Sequence, residues 1–194
     1  MDILSFFAER FDLPILEWIA EHLHCAFLDT LMPLITLLGD AGIFWILCAA
    51  ALLFFPKYRK IGLGMGAALI IGLLLCNVTL KPLVARIRPY DYQLLHFGKT
   101  VELLVATPHD FSFPSGHTIA SFEAATVLLI NNRKLGIPAM ILAVLIAFSR
   151  LYLYVHYPTD VLASVALGIG IAFLGNFLVS KAFYLWKNRI SKEA

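Results

Sequence analysis

Residues 61–80 read IGLGMGAALIIGLLLCNVTL, twenty positions without a charge. Wound as a helix, such a run is ~30 Å long, the thickness of a bilayer's hydrocarbon core. A second uncharged run of the same length, VLASVALGIGIAFLGNFLVS, covers residues 161–180. Shorter apolar runs fill residues 43–55, 118–130 (broken only by Glu123) and 137–148, the last with Pro138 at its start. These five runs predict five spanning helices and an all-α, polytopic membrane helical bundle. Composition agrees, with 60% hydrophobic residues, 14% charged residues and a mean hydropathy of +0.83. A soluble domain carries about 25% charged residues. The net charge of +2 gives no argument for a nucleic-acid partner.

Residues 1–38 are of another kind. Leu4, Phe7, Phe11, Ile15, Trp18 and Ile19 recur at roughly helical spacing, with Glu9, Arg10, Glu17 and Glu21 between them. This pattern predicts amphipathic helices lying in the interface, broken near Pro14. The chain divides accordingly into an N-terminal interfacial segment, 1–38, and a membrane-embedded core, 39–194. A sixth span before Gly39 is the alternative. Glu17, Glu21 and Asp29 stand against it, since a charge at the bilayer centre costs ~2.5–3.5 kcal/mol on insertion scales. The N-terminus does not read as a signal peptide, because Asp2, Glu9, Arg10, Asp12 and Glu17 interrupt any apolar core.

Several features have an ordinary structural explanation. Gly62, Gly64, Gly66 and Gly72 lie inside a spanning run with no strand before them, so they read as close helix packing and not as a nucleotide loop. His22 and His24 have metal-pair spacing, but nothing nearby completes a site, so they belong to a polar helix face. Cys25, Cys48 and Cys76 are isolated, with neither metal-ligand spacing nor a disulfide framework. Asn77, Glu123 and Asn176 are polar groups inside spans, and interhelical hydrogen bonding is the reading we favour over function.

Nine of the fifteen basic residues fall on one side of the membrane, namely Lys57, Arg59, Lys60, Arg133, Lys134, Lys181, Lys187, Arg189 and Lys192. The positive-inside rule makes that side cytoplasmic, and with it the C-terminus. Lys81, Arg88 and Arg150 then lie beside spans on the wrong, outer side, and function can explain them.

Three stretches meet on that outer face. The first is KPLVARIRP, residues 81–89, in which Lys81 and Arg88 stand two helical turns apart if the segment is helical. The second is FPSGH, residues 113–117, opening a span. A helix N-terminus presents backbone N–H groups to an anion, Gly116 admits a ligand close to the backbone, Ser115 adds a hydroxyl and His117 a titratable ring. The third is SRLYLYVHYPTD, residues 149–160. Pro158 suits the first turn of a helix, which places Asp160 to reach back to His156. A carboxylate on one ring nitrogen leaves the other free to attack or to move a proton, and Arg150 offers a fork suited to phosphate. Taken alone, this last stretch equally fits an interfacial loop that caps two helices. Together, three cations, oriented donors and two imidazoles suit phosphoryl transfer without a metal or other cofactor: donors hold the equatorial oxygens while one imidazole attacks and the other protonates the leaving oxygen.

The patterns K-x6-RP, PSGH and SR-x5-H-x3-D, in this order from Lys81 to Asp160, resemble the three motifs of the type 2 phosphatidic acid phosphatase family. That family holds lipid phosphate phosphatases and bacterial undecaprenyl-pyrophosphate phosphatases and is related to the vanadium haloperoxidases. The resemblance implies that His156 is the nucleophile that becomes a phosphohistidine, that Asp160 orients it, and that His117 is the general acid. It implies that Lys81, Arg88, Ser115, Gly116 and Arg150 bind the phosphate, and that the site lies at the extracytoplasmic surface of a cell-membrane protein. Fuller members carry six spans. The substrate expected is a lipid phosphate in the bilayer, undecaprenyl pyrophosphate first, phosphatidylglycerol phosphate or phosphatidate as alternatives. An anion-binding transporter would need polar groups through several spans, and an inactive scaffold would have lost a histidine. Asp91, His96, Lys99, Glu102, His109 and Asp110, in the stretch between the first two motifs, read as solvated loop charge.

Overall fold

A computed structural model describes residues 3–193, and side chains through residue 189; Asp2 and the side chain of Lys192 lie outside them. The described chain is helical. Helix α1 (Ile3–Phe7) runs through a π-helical stretch, Ala8–Asp12, into α2 (Leu13–His22), and α3 (Ala26–Leu37) follows. Then come α4 (Ile43–Leu53), α5 (Arg59–Gly72), a π-helical stretch Leu73–Leu80, α6 (Lys81–Val84) and α7 (Pro89–Phe97). Helices α8 (Gly116–Asn131), α9 (Arg133–Tyr152) and α10 (Pro158–Glu193) complete the bundle.

Three helices are each long and apolar enough to cross a membrane: Arg59–Phe97, taken through its breaks, Arg133–Tyr152 and Pro158–Arg189. A fourth crossing is available if α3 and α4, bent by 41° about residues 38–42, act as one broken span. The five apolar runs thus do not map one-to-one onto long helices. Helix α4, at 11 residues, is too short to cross alone, and α3 would complete it if the bent pair forms one span. Helix α8 has 16 residues and lies at the centre of the bundle, packed by α5, α9 and α10, with Thr118, Ser121 and Thr126 buried along with its apolar residues. Large apolar side chains such as Leu47, Leu162, Phe173 and Phe177 are exposed on the outside, where lipid would cover them.

Gly62, Gly64 and Gly72 meet neighbouring helices closely, whereas Gly66 has nothing packed against it and lines the cavity described below. A Cβ on Gly62 would lie 2.6 Å from the Ala49 carbonyl oxygen, and one on Gly175 would lie 2.8 Å from the Ala68 nitrogen. Asn176 accepts from Asn131 Nδ2 at 2.8 Å, an interhelical bond between α8 and α10. Glu123 differs, with its Oε1 buried and without a partner in the wall of the cavity described below. His24 pairs with Asp29 at 3.0 Å and reaches the Tyr152 carbonyl at 3.2 Å, which ties the N-terminal segment to the end of α9.

Candidate active site

The segment after α5 is not a continuous helix. Ala85 takes a left-handed conformation (φ 48°, ψ 36°) and Arg88 is extended (φ −78°, ψ 158°). The second follows from Pro89, whose ring disfavours the helical conformation in the residue before it. Lys81 and Arg88 therefore do not share a helical face as their spacing suggested. They converge through the break instead, and both donate to the Asp110 carboxylate.

Helix α8 starts where the second motif predicts. Ser115 is its N-cap, with its Oγ accepting from the Thr118 N–H at 3.4 Å and the Thr118 hydroxyl at 3.0 Å. Its own N–H goes to Ser164 Oγ at 2.8 Å, and the residue is fully buried. Ser115 thus stands behind the cavity wall, while Gly116 and His117 line the cavity. His117 Nε2 meets Asp40 Oδ1 at 2.7 Å, so the turn at Gly39-Asp40-Ala41-Gly42 supplies a carboxylate to this ring.

Helix α10 starts at Pro158, and the connection from α9 places His156 and Asp160, both buried, at its base. Arg88 Nη1 lies 3.3 Å from His156 Nε2. A guanidinium can only donate, so Nε2 is the acceptor and Nδ1 carries the ring proton. Nδ1 faces Ser112 Oγ at 3.5 Å, and Ser112 donates in turn to Asp160 Oδ2. Asp160 itself is 3.7 Å from Nδ1, beyond hydrogen-bond reach. The carboxylate addresses the ring through a serine that sequence reading passed over. Arg150 completes the site, donating from Nη1 to Thr36 Oγ1 of α3 and leaving its Nε without a partner.

Lys81, Arg88, Arg150, His117 and His156 all line one cavity of about 1310 Å³. Away from these residues its wall is formed by Leu34, Leu37, Ile46, Leu63, Ile70 and Leu73, from α3, α4, α5 and the π-helical stretch. The charged side chains of the site and a largely apolar wall between helices thus share one cavity. Burial, and then the nearby Arg88, Arg150 and Lys81, hold the His156 ring well below the usual histidine pKa. The ring is therefore neutral near pH 7, as a nucleophile must be.

Asp110 is exposed, as expected of that stretch, but it is not a free charge, since it is paired with Lys81 and Arg88. Burial alone would raise its pKa, but hydrogen bonds and charge from Lys81 and Arg88 outweigh this and hold it well below the carboxylate range. Of its neighbours in sequence, Lys99 makes an exposed pair with Glu17 at 3.7 Å and His96 stacks on Tyr92. Arg86 and Asp12 are also absent from the motif reading. Both are buried, and Arg86 joins Asp12 Oδ2 at 2.7 Å to Asp160 Oδ1.

Residues 57–185 match the PAP2 superfamily. Among curated proteins, the undecaprenyl-diphosphatase of Sulfolobus acidocaldarius is 40% identical over 67% of this chain and 61% of its own length. Undecaprenyl-diphosphatase BcrC of Bacillus subtilis is 35% identical over 78% of this chain and 75% of its own. Among solved structures, a transmembrane PAP2 type phosphatidylglycerolphosphate phosphatase from Bacillus subtilis superposes with a TM-score of 0.70 at 28% identity, covering 93% of this chain and 88% of that one.

Proposed function

We propose, from the premise that this chain belongs to the PAP2 superfamily, that it is a metal-independent lipid phosphate or pyrophosphate phosphatase of the membrane. The observation that carries this reading is the convergence of three cations and two imidazoles at the mouth of one apolar cavity. Lys81, Arg88, Arg150 and the first turn of α8 would hold the phosphoryl oxygens. His156 Nε2 would attack phosphorus and form an N–P bond as the bond to the leaving oxygen breaks. His117 would protonate that oxygen, and water would then cleave the phosphohistidine.

Undecaprenyl pyrophosphate is the substrate we favour, because two of the relatives bear the name undecaprenyl-diphosphatase. The superposition on a phosphatidylglycerolphosphate phosphatase favours phosphatidylglycerol phosphate as the second reading. The test is phosphate release by purified protein, in chelator, from undecaprenyl pyrophosphate, phosphatidylglycerol phosphate and phosphatidate. Activity should survive chelation, since the positive charge is covalently present in Lys81, Arg88 and Arg150. Vanadate should compete, because a histidine nitrogen makes it five-coordinate, like the transition state. Activity lost in chelator and restored by magnesium would overturn the mechanism.

The chain is a multi-pass membrane protein. The basic residues of the short connections and tail support a cytoplasmic C-terminus with the site on the extracytoplasmic face. Lys99→Cys, in a protein free of its native cysteines, should react with an impermeant thiol reagent on intact cells. Labelling only after permeabilisation would reverse the orientation.

A further inference from the structure

Behind His156 lies a chain of buried groups that the three motifs do not contain. Arg86 donates through Nη2 to Asp12 Oδ2 at 2.7 Å and through Nη1 to Asp160 Oδ1 and to Thr159 Oγ1, the last at 2.8 Å. Its guanidinium stacks on the Tyr157 ring, with 3.7 Å from Cζ to the centroid. Asp12 is fully buried, and both its oxygens are used: Oδ1 accepts from the Thr159 N–H at 2.9 Å, and Oδ2 accepts a second bond, from the Thr159 hydroxyl at 2.7 Å. The backbone of Arg86 takes part too, because its carbonyl accepts from the Ser112 N–H at 2.8 Å. One residue therefore fixes both groups that stand between the protein and Nδ1 of His156, namely Ser112 by its main chain and Asp160 by its side chain.

Charge gives this arrangement its meaning. Two carboxylates against one guanidinium leave a net charge of −1 in a buried cluster. Desolvating each ion costs several kcal/mol, so a cluster kept only for stability would be better replaced by apolar side chains. The ring it backs is surrounded on its other side by cations. Lys81 and Arg88 come from the broken segment after α5 and Arg150 from α9, with His117 on α8; Asp110 and Asp160 are the carboxylates nearby. When Nε2 bonds to phosphorus and Nδ1 keeps its proton, the ring becomes cationic at the worst place for a further positive charge.

We infer that Asp12 and Arg86 are positioning residues for the nucleophilic histidine, holding Ser112 and Asp160 so that Nδ1 keeps its proton, with Asp12 balancing the Arg86 charge so that the cluster with Asp160 keeps the net negative charge that offsets the cationic phosphohistidine. The inference rests on His156 as nucleophile. It gives the N-terminal segment a part in the chemistry, since a residue outside the matched region 57–185 closes the network.

The experiment compares the full-length protein with Asp12→Asn and Arg86→Lys, using undecaprenyl pyrophosphate in detergent. Asp12→Asn keeps the shape and removes the charge. Its kcat should fall about 10- to 100-fold, the usual cost of losing a residue that orients a reacting group through another. Its KM and vanadate affinity should stay within about two-fold, because Lys81, Arg88 and Arg150 are untouched. The pH profile separates positioning from mere stability. Wild-type kcat/KM should fall in acid only as pH drops through the depressed His156 pKa, below the ordinary 6.5. Removing a nearby negative charge makes the imidazolium still less stable, so this acid limb should move lower, by up to about one pH unit. The substrate's own titration is common to both profiles and cancels in the difference.

Arg86→Lys keeps the charge but loses the fork, so kcat should fall by a similar factor while the acid limb stays in place. A folded Asp12→Asn protein with wild-type kcat and an unmoved limb would overturn the inference. If Asp12→Asn does not fold, Arg86→Lys decides alone, and a kcat within two-fold of wild type overturns it. His156→Ala, measured in parallel, keeps the two readings apart: turnover by that variant would sink the nucleophile assignment itself, whatever the other variants do.

Discussion

His156→Ala releases no phosphate above background from any lipid phosphate, a loss of about 10⁴-fold or more in kcat. No second nucleophile stands in its place. Of the other rings that line the cavity, His117 is engaged with Asp40 and His109 lies exposed on the loop, while the hydroxyl beside His156, that of Ser112, faces Asp160. The variant should still bind inorganic phosphate through Lys81, Arg88 and Arg150, because those side chains are held by other partners: Asp110 for the first two, Thr36 for the third. It should bind vanadate far less well than wild type, since the apical nitrogen is gone. Purified variant quenched in base after mixing with ³²P-labelled substrate should carry no label, whereas wild type should show an acid-labile, base-stable phosphoryl group. Label of the same stability on His156→Ala would place the nucleophile elsewhere.

The second large effect belongs to His117. Its ring lies at the cavity wall beside the first turn of α8, with Asp40 on Nε2 at 2.7 Å. A general acid contributes about 10²- to 10⁴-fold when the leaving oxygen is a poor leaving group. His117→Ala should therefore lose that much on phosphatidate, whose leaving group is an alcohol. It should lose much less on a p-nitrophenyl phosphate, whose phenolate leaves without help. Comparison of kcat for the two substrates in one preparation checks this. Equal losses on both would remove His117 from the role of acid and leave it as a positioning group at the phosphate.

The residues proposed to meet a phosphate are legible in the chain because phosphate binding calls for particular residue types at short spacing. Cations, a glycine at a helix start and a ring followed by a carboxylate all sit within local stretches from Lys81 to Asp160. The bundle was legible for a similar reason, since a ~30 Å hydrocarbon core demands long uncharged runs. Partners brought from elsewhere were not. Asp12 and Asp160 are each 74 positions from Arg86, and neither has a local signature. In sequence, Asp12 is one more charge on a helix with a polar face. Ser112 sits one residue before FPSGH and looks like loop. Asp110 looks solvated until the break at Ala85 turns both Lys81 and Arg88 toward it. That break was half visible: Pro89 forces Arg88 out of helix, but nothing local marks an alanine for a left-handed conformation. The short α8 is less legible, because a central helix wrapped by protein can carry buried Thr118, Ser121 and Thr126 and be shorter than a run that lipid must cover.

The contact between Asp12 and Thr159 joins positions 147 apart, the N-terminal segment to the first turn of α10. Closing a loop that long is among the last gains available to a growing polypeptide, because the second partner is made only after most of the bundle. Lys81, Arg88 and His117 emerge from synthesis well before His156 and Asp160. On the function proposed above, a partly made chain would carry a phosphate seat with no nucleophile, and a chain inserted but without the Asp12–Thr159 contact would carry a nucleophile with an unfixed proton. The first turnover of a molecule would in this sense report that its N-terminal segment has met the start of α10.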